Sequence, residues 1–149
     1  MGTNRYQEMK DRQMERFNKF PIKFAFSDEQ FERGMRELGL EPSETDKVYS
    51  LPGTGGFYRR TDADELNKMW ADFEREMETE IAADTTGDGF IYDMFYYELC
   101  NHEYGYTGDD EDAINALDLT YEEIEADDRL KNALYKAKRA IMKECDAIW

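Results

Sequence analysis

Apolar side chains recur at helical spacing through most of this chain and alternate only briefly. In "NRYQEMKDRQMERFNKF", residues 4–20, Tyr6, Met9, Gln13, Phe17 and Phe20 share one helical face, and Pro21 stops the helix. "IKFAF", residues 22–26, is bulky, lacks a turn former and reads as a short strand. Ser27 and Gln30 then make a capping box for a helix whose inner face is Phe31, Met35 and Leu38, ended by Gly39. Residues 47–60 predict a β-hairpin, because "KVYSL" and "FYRR" flank "PGTGG", a turn whose residues permit positive φ. Thr61 is expected to cap a long helix over 62–83, with Leu66, Met69, Trp70, Phe73, Met77 and Ile81 in one stripe. Further helices follow over 90–104, in "DDEDAINAL", after Thr120 and over 127–146, the last burying Leu130, Leu134, Ala137 and Ile141. The pattern predicts a mostly helical α+β fold, residues 1–149 as a single domain, with a small antiparallel sheet (a strand near 22–26 plus the hairpin 47–60).

Composition supports a packed interior. Hydrophobic residues make up 40% and aromatic residues 14%, too many for a disordered acidic tail. Charges interrupt every apolar run before it could span a bilayer, and the first residues lack the hydrophobic core of a secretory signal. The expected setting is therefore cytoplasmic. Tyr6 stands where a myristoylation motif wants Ser or Thr, so Gly2 is not expected to carry a lipid. Cys100 and Cys145 form no CxxC pair and read as two free thiols.

Charge changes the picture most. The net charge is −16, and its distribution is uneven. Residues 61–128 hold twenty-three acidic against two basic side chains, while 129–149 hold six basic against two acidic. Such a middle segment repels nucleic acid and attracts basic surfaces. Direct DNA or RNA binding is not expected, and a basic protein surface is.

Candidate chemistry is sparse. "DTTGDGFIYDMF", residues 84–95, has the front half of a calcium loop, with Asp84, Thr86 and Asp88 at its first, third and fifth positions and Gly89 at the sixth. The twelfth position, where a bidentate Glu should close the shell, is Phe95. The alternative is a structural joint in which Gly87 and Gly89 end one helix and Asp88 caps the next. Glu98 and the lone histidine, His102, lie four apart. One imidazole without a cysteine pair makes a poor zinc site, and an intrahelical hydrogen bond accounts for the spacing. "GTGG" at 53–56 precedes a strand-like segment rather than a helix, so it is a turn and not a phosphate cradle. No GxSxG occurs, and Cys100 has acidic neighbours that disfavour its thiolate. No enzyme is expected, no catalytic residue stands out, and no cofactor is implied.

"GDGFIYDMFYYELCNHEYGYTGDDEDAINALDLT" and "SETDKVYSLPGTGGFYRRTDADELNKMW" resemble a family of small, uncharacterised acidic proteins from bacterial phages and mobile genetic elements, over roughly residues 5 to 140. The resemblance implies a setting in which such proteins antagonise host nucleases, and it brings no activity or site residues. The expected function is an acidic interaction factor that inhibits a host nucleic-acid-binding defence protein, of anti-CRISPR or anti-restriction type, by imitating DNA. Its contact row would be Asp109, Asp110, Glu111, Asp112, Glu122, Glu123 and Glu125, with the tyrosines of 92–106 suited to an interface. The alternatives are a calcium-binding module on the 84–95 loop and an enzyme of unknown type.

Overall fold

The computed structural model describes residues 3–148. Helices dominate it, with one three-stranded antiparallel sheet. In chain order come α1 (Arg5–Asn18), β1 (Lys23–Phe24), α2 (Asp28–Glu37), β2 (Val48–Leu51), β3 (Gly56–Arg59) and α3 (Ala63–Ala83). There follow α4 (Phe90–Asn101), α5 (Tyr104–Thr107), α6 (Glu111–Ala116), α7 (Tyr121–Ala126) and α8 (Asp128–Ile148). The mostly helical α+β class expected from the pattern is what the chain adopts. Its residues gather into two compact units, one from residues 13–75 and one from residues up to 12 together with 76 onward. Helices α1 and α3 contribute to both.

In the sheet unit the strand order is β1-β3-β2, and the hairpin pairs Val48 with Arg59 through to Leu51 with Gly56. Phe57 points to one face of the sheet, into a cluster with Met35 of α2 and with Leu38, which follows that helix. Gly34 lets that helix come close, since a Cβ there would sit 2.7 Å from the Phe57 ring. A second cluster joins Ile22, Leu66 and Met69, with Phe17, Phe20, Leu51, Tyr58 and Phe73 packed on it. Ser27 caps α2 as expected, accepting from the Gln30 N–H at 3.2 Å. Gly39, at φ +79°, ends it, with the Leu40 N–H returning to the Met35 carbonyl.

Three details differ from the expectation here. The first strand keeps only Lys23 and Phe24, because Ala25 makes its hydrogen bond to the turn residue Gly55 and Phe26 is 80% exposed. Thr61 does not cap α3. It lies inside a 3-10 turn, Arg60–Asp62, that runs straight into the helix. Trp70, placed in the buried stripe by its spacing, is 42% exposed beside Phe17.

In the helical unit α4 is nearly enclosed. Phe90, Ile91, Met94, Phe95 and Leu99 are buried with Ile114, Leu117 and Ile124, and with Leu130, Leu134, Ala137 and Ile141 of α8. The inner face expected for α8 is therefore the one it uses.

Candidate acidic interface

The loop from Asp84 to Gly89 fixes the start of α4. Asp84 Oδ1 accepts from the Gly87 N–H at 2.9 Å and the Thr86 N–H at 3.3 Å. Its Oδ2 accepts from the Gly89 and Ile91 N–H groups, each at 3.0 Å. Burial pushes the Asp84 carboxyl up, but these backbone donors outweigh it and hold the group below its ordinary value. Asp84 therefore caps the helix, and not Asp88 as the spacing suggested. Asp88 instead accepts from Lys136 Nζ at 2.7 Å, at the loop's edge. Of the three candidate calcium ligands, one carboxylate is filled by N–H groups and another by a lysine. Thr86 Oγ1 donates to Asp84 and accepts from the Asp88 N–H. Phe95, at the closing position, is 1% exposed. Among the described residues no three His, Cys, Asp or Glu side chains converge as a metal cluster.

The basic C-terminal segment folds back on the acidic middle. Arg129 holds Asp127 at 2.8 Å and donates to the carbonyls of Ile81 and Asp84, ending α3. Lys131 pairs with Glu125 at 3.2 Å, and Lys138 with Asp110 at 2.5 Å. Arg139 lies over the Tyr135 ring, 5.7 Å from its centroid. These cations all lie on α8, a basic segment visible in the sequence whose partners are legible only once its neighbours are known.

The expected contact row is thus sorted by structure. Asp110 is half-buried between Lys138 and the Tyr121 hydroxyl, which donates to it at 2.6 Å. Burial raises the Asp110 carboxyl, and Lys138 and Tyr121 bring it below its ordinary value. The same bond to Asp110 pushes the Tyr121 hydroxyl up to about 12. Asp109 caps the start of α6 by accepting from the Glu111 N–H at 2.9 Å. Thr120 Oγ1 accepts from the Glu123 N–H at 3.2 Å and donates to Glu123 Oε1 at 3.1 Å, and Glu125 is tied to Lys131. Glu111, Asp112 and Glu122 are exposed and form no ion pair among the described residues. Tyr121, beside them in the chain, is 50% exposed.

A family model covers residues 5–140, nearly the whole chain. The chain belongs to the family of unknown function DUF7659. No curated protein and no solved structure matches it. In this DUF7659 protein one further cluster was not legible from spacing. Glu98, 4% exposed, accepts from the Tyr6 hydroxyl at 2.6 Å across 92 residues of sequence. Burial and the Glu98 carboxylate together drive the Tyr6 hydroxyl far above its ordinary value, so it stays protonated as the donor. His102 Nε2 lies 3.9 Å from Glu98, too far for the intrahelical hydrogen bond that the spacing suggested. Cys100 is pushed up by burial first and by Glu144 second, so its thiol is unactivated.

Proposed function

We propose that this DUF7659 protein is a non-enzymatic interaction factor. It docks the α6–α7 face on a basic, nucleic-acid-binding surface of another protein and so inhibits that protein. The observation that carries this reading is the set of uncommitted carboxylates Glu111, Asp112 and Glu122 beside the exposed ring of Tyr121. They belong to a unit holding twenty-two acidic against nine basic side chains. Neighbouring acids are held by Lys131 and Lys138, which orders the face without neutralising it. Pre-organised charge of this kind favours fast, salt-sensitive association with a basic partner. The resemblance to acidic proteins of mobile elements favours a host defence protein of the anti-CRISPR or anti-restriction target class.

The test is capture from a bacterial lysate, followed by displacement with short duplex DNA. The expected partner is a nucleic-acid-binding protein, released by the duplex and by raised salt, and not captured by a Glu111→Gln, Asp112→Asn, Glu122→Gln variant. Capture indifferent to duplex, salt and variant alike would sink the reading.

A further inference from the structure

The sheet unit carries a groove of opposite character. It is lined by Arg16, Lys19, Phe20, Pro21, Glu65, Lys68 and Met69, with a volume of about 400 Å³. That is the size of a small-ligand cleft. Its lining holds three cations and a single acid, Glu65. Arg16 is held in place by Asp72 at 3.1 Å, whereas Lys19 and Lys68 form no ion pair among the described residues. Lys68 is one of only two basic residues in 61–128. The floor is apolar, since Phe20 packs on the cluster that buries Met69 to 2% exposure. A lysine just past the end of α1 complements that helix's dipole, which accounts for Lys19 alone. It does not account for a second uncommitted lysine across an apolar floor.

We propose that this groove binds a phosphate monoester borne on an aromatic or aliphatic body. Lys19 and Lys68 take the phosphate, and Phe20, Pro21 and Met69 take the apolar part. The site lies apart in sequence from the α6–α7 row, so either can fail alone.

The test titrates the full-length protein with 1-naphthyl phosphate, inorganic phosphate and 1-naphthol, following amide resonances by NMR. The ester is expected to shift resonances of residues 16–21 and 65–69 and to bind more tightly than either fragment. Lys19→Gln with Lys68→Gln, both at exposed positions, is expected to weaken the ester roughly tenfold or more while leaving the melting temperature unchanged. The proposal is overturned if naphthol binds as well as its phosphate, if the shifts map elsewhere, or if the double variant binds the ester as the parent does.

Discussion

Asp84 illustrates how one carboxylate can resemble a metal ligand and serve as a cap. Four backbone N–H groups converge on its two oxygens, an arrangement worth more than an ordinary N-cap. Asp84→Asn is expected to destabilise the protein by about 1–3 kcal/mol in urea unfolding, with no recovery when calcium is added. Asp84, Asp110 and Asp127 all sit below their ordinary value of 3.8 in the folded state. The stability they add is complete above that pH and is lost as pH falls through the lower folded values. Melting temperature should therefore drop on acidification below 3.8, with a shallower slope in the Asp84 variant. Tyr6→Phe removes the short donor from buried Glu98 while keeping the ring, at a cost of about 1–3 kcal/mol. An unchanged unfolding midpoint would show that water or another donor replaces it.

At the scale of elements, the joints between helices are set by close backbone approach as much as by caps. Gly87 has φ +86°, and a Cβ there would lie 2.6 Å from the Arg129 carbonyl oxygen. Side chains are doubly disfavoured at this point, by conformation and by space. Gly87→Ala is expected to cost about 2–4 kcal/mol, read as a lowered denaturation midpoint. The same approach lets Arg129 reach back to the last carbonyls of α3, so three elements meet at one small residue. Helix α8 serves two partners at once, with leucines and alanines on its inner face and lysines on its flanks.

At the scale of the molecule, net charge and usable charge differ. Four acids of the helical unit, Asp88, Asp110, Glu125 and Asp127, are paired by α8, and each exposed pair contributes little to stability. The carboxylates left over are the ones free to meet a partner. Neutralising Glu111, Asp112 and Glu122 together is expected to leave stability within about 0.5 kcal/mol of the parent. The same change should abolish salt-sensitive partner capture. Loss of fold in that variant would mean these acids serve structure, contrary to their exposure.

Periodicity determined the main helices and the buried face of α8, and turn and cap residues determined the hairpin and the α2 caps, because each follows from interactions within a few residues. The same local reading made Asp88 the cap and gave His102 to Glu98, since spacing cannot tell which neighbour a side chain turns toward. Tertiary structure decided that Arg129 reaches the Asp84 carbonyl and that Lys136 takes the Asp88 carboxylate. It also decided that Tyr6 meets Glu98, and that the basic end quenches part of the acidic middle. The Arg129–Asp84, Lys136–Asp88 and Tyr6–Glu98 contacts join residues 45, 48 and 92 positions apart, and a pairing between distant residues exists only once burial of the apolar faces has brought their helices together.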